Sequence, residues 1–350
     1  VTGRLARVTL ATLAACAPHR PTTGAPSDEF VVRNAHLIGT AGLHAVAVRA
    51  GRITGIDADT DGLPTMDAAG GWLVPGVIDS HVHLAYLPAA DALADAGVAV
   101  AIDLAAPKAW RRPTAPQVLG SGPMITAING YPTLSWGRDG YGWPVASPEQ
   151  ARDAVSTLVD DGARVIKVAV TSPPTLDDAT LAATVSAAHD AHIPVVAHAL
   201  SDVDAARAAA AGVDGLAHTP TEALSDATIA AWSGRFVIST IAAFGGDAVD
   251  NLRRLRAAGA TVLYGTDFGN TAQIGVSPDE LDGLARAGLD GAAIADALGP
   301  APAAVWHLPD VGAIRVGATA SMMLVPADPL ADPTAWTRPE TVWLAGHARR

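Results

Sequence analysis

Val74-Pro75-Gly76-Val77-Ile78-Asp79-Ser80-His81-Val82-His83 is an apolar segment, entered through Pro-Gly, that runs out on two histidines one residue apart. Side chains at i and i+2 of a strand share a face. Val77, Asp79, His81 and His83 therefore point one way and Ile78, Ser80 and Val82 the other, so two imidazoles lie side by side where a strand ends. That geometry suits a divalent metal. A His-x-His pair alone is equally a pair of packed or surface histidines, so the rest of the chain has to decide.

Further apolar runs follow at 98–105, 117–127, 164–170, 194–200, 213–218, 236–240 and 261–266. With the first they make eight. Between most of them lie Ala-rich, helically periodic segments at 147–161, 176–191, 202–211, 225–232 and 249–258, several opening on Ser, Asp or Pro and closing at Gly. Eight buried parallel strands with crossover helices describe an α/β fold, a (β/α)8 TIM barrel occupying 73–310. Short strands before residue 73, at 30–38, 45–50 and 52–56, are matched by strand and turn character at 311–326 and 339–346. They are expected to form a small β-sandwich from both chain ends, 30–72 plus 311–350.

The chain has 350 residues, 49% of them hydrophobic, enough for one large domain and a smaller one. A formal charge of -12 argues against nucleic acid or an anionic membrane surface as a charge-driven partner. The single cysteine rules out an internal disulfide and any structural zinc site built on Cys pairs. Its setting is informative. Arg4 and Arg7 precede a short apolar run, and Leu13-Ala14-Ala15-Cys16 closes it like the lipobox of a bacterial lipoprotein signal peptide. Residues 1–29 are therefore expected to be a signal peptide and tether, lipidated at Cys16 and holding the protein to the outer face of the cell membrane. A frayed cytoplasmic N-terminus is the alternative.

Polar residues at the ends of the runs form a set. His81 and His83 end the first, Lys167 lies in the fourth, His198 ends the fifth, His218 the sixth, and Asp267 follows the eighth. Active sites of such barrels assemble at this face. Each residue has a plainer reading: His198 and His218 as core histidines, Asp267 as a helix N-cap, Lys167 as half of a buried ion pair. An amine that loses its proton through desolvation offers another course, because it can react with CO2 to give a bridging carbamate.

Pro75-Gly76-Val77-Ile78-Asp79-Ser80-His81-Val82-His83, Val165-Ile166-Lys167-Val168, Ala197-His198-Ala199, Ala217-His218-Thr219 and Gly265-Thr266-Asp267 resemble, in order and spacing, the metal-dependent amidohydrolase superfamily. The chain looks like the imidazolonepropionase-related branch, and its lysine matches members with a carboxylated lysine, prolidase-like dipeptidases among them. Residues 312–320 resemble the family's C-terminal strand signature, which departs at Ser321-Met322-Met323.

The resemblance implies His81, His83 and Asp267 on one ion, His198 and His218 on a second, and Lys167 on both. It implies two divalent ions, with zinc the expected metal, holding a bridging hydroxide as nucleophile. Asp267 would be the general base and acid. Tyr131 stands where relatives often carry a substrate-contacting histidine, and its phenol is a candidate oxyanion donor. Tyr264 and Asn270 flank Asp267 as candidate substrate contacts, and Arg138 and Arg253 are candidate partners for a substrate carboxylate. The expectation is a homo-oligomeric hydrolase of amide or peptide-like C–N bonds acting on a small molecule. A mononuclear hydrolase or deaminase is the first alternative, and an extracytoplasmic binding lipoprotein is the alternative from another class.

Overall fold

The computed structural model describes residues 29–58 and 62–349, so Cys16 and the expected signal segment lie outside the described residues. Eight inner strands follow the eight apolar runs. Strand one is Val77–Val82, two Val98–Asp103, four Ile166–Ala169, five Val195–His198, six Gly215–Leu216, seven Phe236–Ile238 and eight Thr261–Leu263. Strand three comes in two pieces, Gln117–Gly120 and Met124–Ala127. The break falls at Ser121-Gly122-Pro123, where proline offers no ladder donor and Gly122 has φ +67°. Strands one, two and four are buried along their whole length, as parallel strands covered on both faces must be.

Strands one, two and the first piece of three form a three-stranded parallel sheet. The second piece of three, strands four to eight and an extra strand at Gly142–Val145 form a seven-stranded parallel sheet. The arrangement is TIM-barrel-like, although its ladders make two sheets rather than one closed ring. Single backbone bonds cross the seams. Ser80 N–H donates to Tyr264 O at 2.9 Å, His83 N–H to Phe268 O at 2.6 Å, and Arg164 N–H to Gly120 O at 3.1 Å. The first two bring the end of strand one against the chain that leaves strand eight.

The crossover helices begin where the sequence signals them. Ser147, Asp177, Ser201 and Ser225 each accept a backbone N–H in the first turn of Pro148–Asp160, Asp178–Asp190, Asp202–Ala210 and Asp226–Ala231. Such N-caps contribute about 1 kcal/mol each. Three further helices, Pro278–Arg286, Gly291–Leu298 and Pro300–Val305, were not separated by the sequence reading.

Both chain ends meet in one eight-stranded mixed sheet. Trp72–Pro75 pairs parallel with Phe30–Leu37 on one side and antiparallel with Met322–Val325 on the other, so residues far apart in sequence become neighbours. These ladders describe a single mixed sheet, and they do not by themselves require a two-layered sandwich. The departure at Met322-Met323 fits its surroundings, since both side chains are fully buried. Met323 fills the space over Gly97, where a Cβ would fall 1.8 Å from its Sδ.

Candidate metal centre

Strand one delivers His81 and His83 to a fully buried point facing Asp267. His83 Nε2 lies 3.1 Å and His81 Nε2 3.4 Å from Asp267 Oδ1, and the two Nε2 atoms are 3.3 Å apart. Ligand atoms about 2.0–2.2 Å from one zinc ion at tetrahedral angles are separated by about 3.4 Å, so this triangle has the size of a coordination face. Protonation states support the fit. His81 Nδ1 is 2.7 Å from Ala217 O, which can only accept, so the proton sits on Nδ1 and Nε2 presents a lone pair. Burial, with Lys167 and His83 as further causes, pushes the His81 pKa well below the usual histidine value. A lone pair, a second imidazole nitrogen and a carboxylate oxygen thus converge, and a cation at their centre satisfies all three.

Small residues permit this approach. Gly265 leaves room where a Cβ would sit 3.2 Å from His81 Cβ, and Gly269, at φ +114°, where a Cβ would sit 2.6 Å from His83 Cβ. Asp267 itself has φ +53°, uncommon for a residue other than glycine. Its carbonyl accepts from Asn270 N–H at 3.0 Å and Thr271 N–H at 2.9 Å, which holds that backbone in place.

Lys167, His198 and His218 complete a contiguous cluster. The His218 ring centroid is 4.4 Å from His81 and 5.0 Å from His198. His218 Nδ1 is 3.1 Å from Thr240 Oγ1, leaving Nε2 free. Burial, followed by the charge of Lys167, depresses His198 to about 3, and burial holds His218 well below its ordinary value. Lys167 Nζ is buried without a hydrogen-bond partner, as is His83 Nδ1. Desolvation brings the Lys167 pKa down to about 7, with Asp267 opposing. The plain ion-pair reading of Lys167 therefore fails, because Asp267 is not within bonding distance of its amine.

Tyr131 lies beside the cluster, stacked on His198 at 4.5 Å, and its hydroxyl accepts from Trp136 Nε1 at 2.9 Å. Two flanking residues do something other than expected. Tyr264 is fully buried, with its hydroxyl accepting from Ser277 N–H at 2.8 Å. Asn270 turns its amide onto the carboxylate of Asp267, 3.1 Å from Oδ1 and 3.2 Å from Oδ2. It orients the proposed base.

Buried carboxylates that the sequence reading passed over brace the site. Asp79 Oδ1 accepts from the N–H groups of His81 and Thr266, both at 3.1 Å, and Oδ2 from Thr266 Oγ1 at 2.6 Å, stapling strand one to the segment after strand eight. Burial raises its pKa to about 7. Asp103 accepts from Leu84 N–H at 2.7 Å and fixes the turn after His83, and burial raises it to about 6. Glu280 accepts from Ile241 N–H at 3.0 Å and Ala242 N–H at 2.8 Å, directly after Thr240, the partner of His218. Only Asp79 left a trace in the sequence, through its shared face with His81.

The sequence profile of the Amidohydrolase family matches residues 72–349. The chain belongs to the amidohydrolase family. It is accordingly a metal-dependent hydrolase of C–N bonds. Solved structures similar to it include a putative prolidase from Bifidobacterium longum, 23% identical with a TM-score of 0.77, covering 91% of this chain and 94% of that one. A Xaa-Pro dipeptidase with bound methionine in the active site is 19% identical with a TM-score of 0.79, covering 91% and 99%. A prolidase complexed with N-methylphosphonate-L-proline is 20% identical with a TM-score of 0.77, again over 91% and 99%. At such identities the likeness is one of fold. No curated protein matches the chain.

Proposed function

We propose that this amidohydrolase is binuclear, with His81, His83 and Asp267 on one ion, His198 and His218 on the second, and a carboxylated Lys167 on both. Zinc is the proposed metal. The observation that carries the reading is Lys167, whose fully buried amine has no partner and a pKa near 7, among four imidazoles and a carboxylate. Such an amine gives up its proton far more readily than an exposed lysine. Its nitrogen adds to the carbon of CO2, an N–C bond forms and one proton leaves, and the product is an anion with two oxygens. A cation that repels metal is replaced by a bridging ligand.

When bound, two divalent ions would acidify water enough to supply a nucleophile near neutral pH and would polarise a carbonyl. The chain's own residues handle the proton. Asp267, held by Asn270 at both oxygens, takes it from the attacking water and returns it to the leaving amine. Tyr131 keeps its hydroxyl proton at any working pH, since burial raises its pKa to about 12, and can donate it to the developing oxyanion. Water adds across the C–N bond, giving an acid and an amine. Dipeptides and N-acyl amino acids are the first substrates to consider, given the prolidases among the structural neighbours.

A mononuclear hydrolase or deaminase is favoured by one specific observation: among the described residues, His81, His83 and Asp267 alone bring three ligand atoms within 4.8 Å of one another. The same proposal takes the strands as a closed (β/α)8 barrel beside a sandwich. Export with lipidation at Cys16 and assembly as a homo-oligomer also belong to it, the former supported by the N-terminal sequence alone. A chelator-stripped enzyme reloaded with Zn2+ or Mn2+ and assayed across dipeptides, N-acyl amino acids and aminated heterocycles tests the reading. Metal-dependent amide cleavage is expected; ammonia release from the heterocycles alone would replace it with a deaminase.

A further inference from the structure

The loops that leave the parallel strands hold much of the chain's aromatic and exposed apolar surface, although aromatic residues are only 5% of the sequence. Trp136 lies 5.1 Å from His83, ring centroid to centroid, and packs on Tyr86 at 5.9 Å, Tyr131 at 6.1 Å and Tyr141 at 5.7 Å. Phe244 lies 4.5 Å from His218 and 6.4 Å from His198. Eight large hydrophobic residues are exposed among the described residues. Four of them, Tyr86, Ile128, Leu134 and Ile274, lie in loops after strands one, three and eight, and a fifth, Phe244, ends the short helix Ile241–Phe244 after strand seven. Apolar surface gathered around a buried polar cluster marks the mouth of a ligand site.

Charge on the same face is the second observation. Between each inner strand and the next element, the described residues include four cations, Lys108, Arg111, Arg112 and Arg138. The first three line a separate cavity of about 370 Å³ with Leu158 and Asp161. Lys108 pairs with Asp161 there at 3.4 Å, and Arg112 donates to Gly162 O at 3.1 Å. Arg138 turns back on its own loop, donating to Leu134 O at 3.4 Å. Arg253 is paired with Asp250 on the helix Ala248–Ala257. Among the described residues, then, no arginine or lysine is ion-paired or hydrogen-bonded to Asp267 or seated on the Trp136 wall, and the chain's formal charge of -12 provides no long-range attraction for a substrate carboxylate.

We infer that the site prefers uncharged aromatic amides to dipeptides and N-acyl amino acids, with an aryl group received between the Trp136 wall and Phe244. The inference rests on the proposed hydrolase reading and puts neutral aromatic amides ahead of the dipeptides and N-acyl amino acids that the structural neighbours suggest first. Rings stack or meet edge to face with an aryl guest, whereas an unpaired carboxylate would lose its hydration against them.

Three amides sharing one type of scissile bond test it: N-methylbenzamide, N-benzoylglycine and N-methylacetamide. The metal-loaded enzyme should give N-methylbenzamide a kcat/KM about tenfold or more above either of the others. Calorimetric binding supplies the readout independent of turnover. N-methylbenzamide should bind about tenfold tighter than N-benzoylglycine, and the preference should shrink in Trp136→Ala and in Phe244→Ala, the latter an exposed position that leaves folding intact. Equal or better binding and turnover of N-benzoylglycine would overturn the inference, as would no measurable binding of N-methylbenzamide. Preferential binding of the neutral aromatic amide with no turnover of any of the three would uphold the preference and sink the hydrolase reading instead.

Discussion

Replacing Asp267 by asparagine separates holding metal from moving a proton. The backbone should accept the change, because φ is +53° and asparagine tolerates the left-handed region as well as aspartate does. The amide oxygen can take the place of Oδ1, 3.1 Å from His83 Nε2, and so keep a ligand on the triangle. Its NH2 then meets the Asn270 amide where Oδ2 accepted at 3.2 Å, so one of two bonds is lost, a cost of about 1 kcal/mol. The chemical loss is larger. An amide cannot take a proton, and general acid–base catalysis is worth roughly 10²–10⁴-fold, or about 3–5 kcal/mol of barrier at 1.36 kcal/mol per decade. The variant should therefore fold, retain measurable metal and lose about 100-fold or more in kcat. Elemental analysis, thermal denaturation and steady-state kinetics on one preparation make the comparison. A metal-replete Asp267→Asn enzyme within about threefold of wild-type kcat would show that the proton is handled elsewhere.

Other substitutions probe the supporting structure. Lys167→Ala should lose metal and activity together, with partial rescue by short-chain carboxylic acids at high concentration; near wild-type turnover in the variant would refute the bridge. Gly269→Ala puts a methyl 2.6 Å from His83 Cβ at φ +114°, so it should cost at least about 1–3 kcal/mol in urea denaturation and weaken metal binding. Unchanged stability would mean that His83 yields freely. Glu280, raised from 4.5 to about 7 by burial, holds its proton more tightly folded than unfolded. Its contribution to stability is thus present at low pH and lost as pH rises from about 4.5 to about 7, by up to roughly 3 kcal/mol at 1.36 kcal/mol per unit. Denaturation midpoints of metal-free wild type and Glu280→Gln at pH 5 and pH 8 should converge or cross accordingly; a constant difference would contradict the assignment.

The fold was legible where burial writes itself into composition. Parallel strands covered on both faces read as unbroken apolar runs, and Ser147, Asp177, Ser201 and Ser225 announce helices through an interaction local to one turn. The cluster was legible because His81, His83, His198 and His218 close apolar runs and Asp267 follows one, while Lys167 stands out as a charge inside an apolar strand. Asp103 and Glu280 were not, since their partners are backbone N–H groups brought near by tertiary structure, which leave no residue-type signal. Asn270 and Tyr264 show the same limit from the other side. Adjacency to Asp267 suggested substrate contact for both, yet one orients the carboxylate and the other is closed off against Ser277. Helices Pro278–Arg286, Gly291–Leu298 and Pro300–Val305 are short and follow one another with no apolar strand between them, so the strand–helix alternation that sets off the others is missing there.

The metal content of the enzyme tests the central claim most directly. Protein expressed with bicarbonate and a supply of Zn2+ should hold two ions per chain by elemental analysis, and Lys167→Ala, lacking the bridge, should hold at most one. A wild-type enzyme fully active with one tightly held ion would contradict the binuclear account and leave His81, His83 and Asp267 as the whole of the metal centre.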